Sequence, residues 1–180
     1  MNWITFCSQT GSEIVNISER IMFYPHMIVT NYYDRLSRKT IEWADTYLVI
    51  IHRLPKNPTV QDYNEIGLNK NDLITLHGFL RILPKEICSK YEIINGHPAL
   101  ITCEYYPELK GKDPQERTWK NREKYPLIGT VIHRVVTEVD EGEILVSNSK
   151  EFTAKTKEEL YEDLRELSLM LWCSFLRTKV

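Results

Sequence analysis

The chain has 180 residues, 42% of them hydrophobic and 27% charged, and its formal net charge at pH 7 is −2. That length and balance suit one globular domain, residues 1–180, with a sizeable core; they exclude low-complexity and disordered classes and give no reason to expect general nucleic-acid binding. Cys7, Cys88, Cys103 and Cys173 are far apart, so no local zinc or redox motif is present, and they read as buried thiols in a reducing compartment.

Trp3 to Cys7 reads as a short buried strand, and residues 8–12 as a turn. From Ser12 the apolar positions Ile14, Val15, Ile17, Ile21 and Met22 recur at helical spacing, with Ser12 as the expected N-cap. His26 to Thr30 is the next strand, Arg35 to Ala44 has helical character, and Tyr47 to His52 is a third strand. Pro55 and Pro58 interrupt it, leaving room for a short helix before Gly67. Leu73 to Leu76 forms a strand, a short helix runs through Cys88, and Tyr91 to Ile94 is a strand delivering Asn95 and His97. Strands alternating with helices predict an α/β fold, a single Rossmann-like, mostly parallel twisted sheet flanked by helices, with ligands beyond the carboxyl ends of its strands.

Residues 101–112 lack periodicity and read as a loop. Asp113-Pro114-Gln115-Glu116 then starts a helix in a capping-box-like pattern. Strands are expected over Gly129 to Val136 and Glu143 to Ser147, the latter sheet reaching towards Phe152. A terminal helix follows over Lys157 to Arg177, its apolar stripe Leu160, Leu164, Leu167, Leu171 and Phe175 broadened by Met170 and Trp172. No run approaches membrane-spanning length and no basic, then apolar, leader opens the chain, so a soluble cytoplasmic protein without a membrane partner is expected.

Residues two apart on an extended segment face one side, so Asn95 and His97 would project together, and Asp140 would complete a small acid–base device with them. Each also has a bland reading: His97 as a loop hydrogen-bonder, Asn95 as a strand-end residue, Asp140 as turn chemistry before Gly142. There is no Gly-x-Ser-x-Gly elbow, His-Glu-x-x-His helix or phosphate-binding Gly-rich Lys-Ser/Thr loop. His133 lies on an alternating strand and reads as sharing the site or facing solvent. The basic stretch from Lys110 to Lys124 is interleaved with acids and reads as a solvated helix face.

The run Leu76-His77-Gly78-Phe79-Leu80-Arg81-Ile82-Leu83-Pro84, then Ile94-Asn95-Gly96-His97-Pro98-Ala99-Leu100, resembles the folate-dependent formyltransferases, glycinamide ribonucleotide formyltransferase above all. Tyr106 to Gly111 and Gly129 to His133 through Glu138-Val139-Asp140-Glu141-Gly142 continue the likeness over about residues 72 to 152. The resemblance implies the formyltransferase fold, Asn95, His97 and Asp140 as catalytic residues, and 10-formyltetrahydrofolate as formyl donor with no metal. It implies a pterin site formed by Leu80, Arg81, Ile82 and Leu83 and by Val136, Thr137, Glu138 and Val139. The expected partners are folate and a small amine acceptor, with the chain a monomer or homodimer. A formyltetrahydrofolate hydrolase is the second reading and a noncatalytic folate-binding module the third.

The same resemblance assigns Gly11, Ser12 and Glu13 to the acceptor, yet Glu13 stands where the family has Asn in a phosphate-binding turn. A carboxylate there repels phosphate unless it points away or meets a cation. Gly96 replaces the family's Ile and is expected to loosen its loop, and Ser168 stands where the family offers a ribose-binding Glu. The segment before Leu73 is short for the family.

Overall fold

A computed structural model describes residues 2–102 and 104–179. It contains a seven-stranded, mostly parallel sheet flanked by helices, in the order β3-β2-β1-β4-β5-β6-β7. The strands are β1 (Trp3–Cys7), β2 (Met27–Thr30), β3 (Ile50–Arg53), β4 (Leu73–Leu76), β5 (Ile93–His97), β6 (Leu127–Arg134) and β7 (Ile144–Glu151). The helices are α1 (Ser12–Ile21), α2 (Arg38–Thr46), α3 (Val60–Glu65), α4 (Lys85–Lys90), α5 (Pro114–Lys120) and α6 (Lys157–Arg177). The chain divides into two compact units, Met1–Asn95 with Val135–Thr137, and Gly96–Arg134 with Glu138–Val180.

In the first unit β1 pairs in parallel with both β2 and β4, β2 with β3, and β4 with β5. All five residues of β1 are buried, as expected of a strand covered on both faces. Alternation sorts its side chains: Ile4 and Phe6 join Val29, Ile74, Leu83 and Ile93 in one apolar cluster, while Cys7 joins Ile14, Ile28 and Trp43 in another. Burial pushes the Cys7 thiol up to about 12, which makes it an inert core residue. Cys103 lies outside the described residues.

In the second unit β6 and β7 form an antiparallel pair with an irregularity at Ile132/His133. Helix α6 spans the residues its periodicity predicts, is capped by Thr156, and packs on β6 and β7. Leu160, Leu164, Leu167, Leu171, Trp172 and Phe175 are buried, whereas Met170 is 53% exposed and does not broaden the stripe.

Several local expectations are corrected. The N-cap of α1 is Gly11, in the left-handed region at φ +73°, and Ser12 is the first helical residue. Asp113 is also left-handed (φ 52°) and its side chain caps nothing, so the capping box at α5 does not form. Glu116 instead pairs with Lys157 of α6 and accepts from the Tyr161 hydroxyl at 3.1 Å. The third strand begins at Ile50 rather than Tyr47, Phe152 falls beyond β7, and Asn95 and His97 lie within β5 rather than beyond it.

Candidate active site

Strand β5 carries Asn95 and His97 two residues apart, with Asn95 in register with Leu76 of β4. His97 is buried, and its imidazole lies between two oxygens of the second unit. Nε2 is 3.0 Å from the Leu109 carbonyl oxygen, which can only accept, so this nitrogen carries a proton. Nδ1 then faces Asp140 Oδ2 at 3.2 Å and is the position that gains or loses a proton.

Asp140 is delivered by the turn between β6 and β7. Its backbone is left-handed (φ 56°), uncommon for a residue with a side chain. Three groups from distant parts of the unit hold the carboxylate: His97, the Gly111 N–H donating to Oδ2 at 2.8 Å, and His133 Nε2 at 3.4 Å from Oδ1. His133 is buried, and its Nδ1 lies 2.9 Å from the Arg134 carbonyl oxygen. It therefore belongs to the site rather than facing solvent. Gly142 completes the turn, because a Cβ there would sit 1.8 Å from the Arg134 carbonyl oxygen.

The electrostatics follow from burial and partners. Burial works to raise the Asp140 carboxyl, but the hydrogen bond from His133, the charge of His97 and the Gly111 N–H together bring it below the ordinary carboxylate range. For His97 burial is the largest effect and lowers the imidazole, outweighing the opposing pull of Asp140 and the Leu109 carbonyl. An ionised acid thus stands beside a histidine whose charged form is penalised, which suits transient protonation. Ile101, Thr102, Pro107, Lys110, Asp140, Gly142 and Ile144 line an open cleft of about 440 Å³, so Asp140 borders space a small molecule can enter.

Two contributors were not legible as site residues in the sequence. Arg117 donates to the carbonyls of Glu108, Leu109 and Lys110 at 2.7, 2.9 and 2.7 Å. The supposed solvated face thus includes the clamp on the loop that holds His97. The Gly111 amide is a backbone group with no sequence signature.

In the first unit Leu80 and Ile82 are 52% and 75% exposed, whereas Leu83 is packed in the core. Arg81 donates from Nη2 to the Tyr32 hydroxyl at 2.7 Å and from Nε to the Lys56 carbonyl at 2.9 Å. Val136, Thr137, Glu138 and Val139 are exposed. At the turn before α1, Gly11 is required: its φ is +73° and a Cβ would meet Thr40 Cγ2 at 2.7 Å. Ser12 Oγ lies 2.9 Å from Thr10 Oγ1.

Glu13 meets a partner. Its Oε2 is 2.9 Å from Nδ1 of buried His77, whose Nε2 is 3.0 Å from Thr75 Oγ1, which in turn accepts from Trp3 Nε1 at 2.8 Å. Gly96 does not loosen β5 but admits α6, since a Cβ there would lie 2.6 Å from Trp172 Nε1.

Comparison with known proteins bears on the family and the fold. A family model described as formyl transferase matches residues 55–173. The fold is similar to phosphoribosylglycinamide formyltransferase from Anaplasma phagocytophilum, at 21% identity and TM-score 0.80, covering 97% of this chain and 84% of that one. The enzyme of the same name from Campylobacter jejuni subsp. jejuni is similar at 23% identity and TM-score 0.79, over 99% and 97%. A formyltetrahydrofolate deformylase from Pseudomonas syringae pv. tomato is similar at 20% identity and TM-score 0.75, over 98% and 60%. Among curated protein sequences nothing matches the chain.

Proposed function

The chain belongs to the formyl transferase family, and from that premise we propose that it is an N-formyltransferase. It moves the formyl group of 10-formyltetrahydrofolate to a primary amine of a small phosphorylated or nucleotide-linked acceptor, glycinamide ribonucleotide or a related amine. The observation that carries this reading is the buried His97–Asp140 pair, at 3.2 Å, on a cleft bordered by Asp140.

In this reaction the acceptor nitrogen attacks the formyl carbon, a C–N bond forms, and negative charge collects on the former carbonyl oxygen. The Asn95 amide N–H and the His97 ring stabilise that oxygen, which requires His97 Nε2 to exchange the Leu109 carbonyl for substrate. Asp140, held ionised, takes the proton the amine sheds and with His97 returns it to the folate nitrogen as the old C–N bond breaks. Donor and acceptor held together supply the orientation term. Gly11, Ser12 and Glu13 serve the acceptor. The pterin lies against the segments Leu80 to Leu83 and Val136 to Val139, where exposed Leu80 and Ile82 can cover its face and Leu83 can contribute only backbone.

The test is incubation with 10-formyltetrahydrofolate and a panel of amines, with products read by mass spectrometry. A formamide from at least one acceptor is expected. No formamide from any amine, with the protein folded and folate bound, would overturn the reading. The deformylase-like fold match favours a hydrolytic second reading, and formate released in the absence of any amine would establish it.

A further inference from the structure

The first unit concentrates positive charge at the carboxyl ends of its parallel strands. The segments 31–38, 52–58 and 78–84 contain Arg35, Arg53, Lys56 and Arg81, and Asp34 is the one acid among them. Arg38 in the same stretch is paired with Glu42. The other four form no ion pair with a carboxylate among the described residues. They gather instead on two tyrosines. The Arg35 guanidinium lies 4.0 Å from the Tyr32 ring centre, Arg81 5.5 Å and the Lys56 ammonium 5.9 Å, while Arg53 stands 3.3 Å over Tyr33.

This platform is built rather than incidental. Ser8 Oγ donates to Asn31 Oδ1 at 2.6 Å and accepts from the Leu80 N–H at 2.8 Å. Asn31 Nδ2 and Arg81 Nε converge on the Lys56 carbonyl at 3.1 and 2.9 Å. The turns after β1, β2, β3 and β4 are thereby tied together through Ser8 and Asn31, both buried. Stacking on tyrosine orients a guanidinium but leaves its charge uncompensated, and like charges crowded together oppose one another until an anion arrives.

The neighbouring anion seat is closed. The amino terminus of α1 would favour an anion, but Glu13 in its first turn already supplies a carboxylate, fixed by His77 at 2.9 Å. A second negative group there meets repulsion. The unbalanced cations lie beside this turn: Ser37, next to the Tyr33–Arg35 segment, donates its N–H to the Thr10 carbonyl at 3.0 Å.

We propose that Tyr32, Tyr33, Arg35, Arg53, Lys56 and Arg81 bind the diphosphate of a nucleotide-linked ligand. Three of the cations lie within 6 Å of the Tyr32 ring centre and the fourth stands over the adjacent Tyr33. Four cations grouped this closely suit two linked phosphates rather than a single one. Guanidinium forks grip phosphate oxygens in pairs, and the tyrosine edges offer a surface for the attached nucleoside. As an account of the acceptor this rests on the formyl-transfer reading; as a binding site it stands without it.

Calorimetric titration with uridine and adenosine 5′-diphosphates, inorganic phosphate and a triglutamate peptide tests the proposal. At least one nucleoside diphosphate should bind, and more tightly than inorganic phosphate or triglutamate. Arg35→Ala and Arg53→Ala should each weaken it by about tenfold with unchanged melting temperature, since both side chains are exposed. Failure of both nucleotides to bind, affinity unchanged in the Arg35→Ala/Arg53→Ala double variant, or triglutamate binding as tightly would overturn it. Because titration needs no turnover, a protein that binds the diphosphate but transfers no formyl group sinks only the catalytic reading.

Discussion

Asp140 is built to stay ionised out of water, and its left-handed backbone points the carboxylate inward at the cost of a disfavoured conformation. Asn tolerates that conformation, so Asp140→Asn should fold normally while losing transfer by about 10²- to 10⁴-fold, the range for a lost acid–base group. His97→Ala should lose a comparable factor. Single-turnover rates beside circular dichroism would check both, and near-native rates in both would remove these residues from the chemistry. Arg117 acts at one remove: Arg117→Lys keeps the charge but cannot reach three carbonyls at once, and should cost roughly 2 kcal/mol of stability in urea titration. Asn95, His97 and Asp140 were legible because their residue types and order resemble a known pattern. His133 was legible only as one of two alternatives, and Arg117 and the Gly111 amide not at all, because their partners lie at the carbonyls of residues 108–110 and at Asp140, and only folding brings those within reach.

At the level of elements, β5 and α6 meet where Gly96 makes room for Trp172. The family's Ile at this position would collide with the indole, so Gly96→Ile should destabilise by about 1–3 kcal/mol through overpacking. Trp172→Ala should cost about 3–5 kcal/mol through the cavity it leaves. The double variant should cost less than the sum of the two, and thermal melts around this cycle would reveal the coupling; strict additivity would show that the two side chains do not share the space. Elements with strong internal pattern were read to the residue: β1, β4 and α6 have buried runs or stripes that no neighbour needs to explain. The misreadings fall at ends. Tyr47 to Val49 look like strand, but Leu48 is left-handed (φ 56°) and terminates α2. At α5, Asp113 and Glu116 match a capping pattern, yet Lys157 and Tyr161 of α6 claim the glutamate.

For the whole molecule, the two central site residues tie stability to pH with one sign. His97 is lowered in the folded state, so as pH falls below the ordinary histidine range, about 6.5, the unfolded chain takes up a proton the native one refuses. Stability therefore drops with falling pH until the native histidine also protonates. Asp140 is lowered too, so its contribution is present above the ordinary carboxylate range and is lost as pH falls through its folded value. Urea unfolding between pH 7 and pH 5 should show declining stability, and His97→Gln should flatten that decline by up to about 1.4 kcal/mol per pH unit, the slope of one proton. An equally steep decline in the variant would mean that other groups dominate.

The chain from Glu13 through His77 and Thr75 to the Trp3 indole has an optical consequence. Indole emission responds to the polarity and protonation of its hydrogen-bonded surroundings, and Trp3 is buried, stacked on Phe23 at 5.3 Å, with His77 edge-on at 6.4 Å. The start of α1 is thereby linked to the emission of a buried tryptophan three hydrogen bonds away.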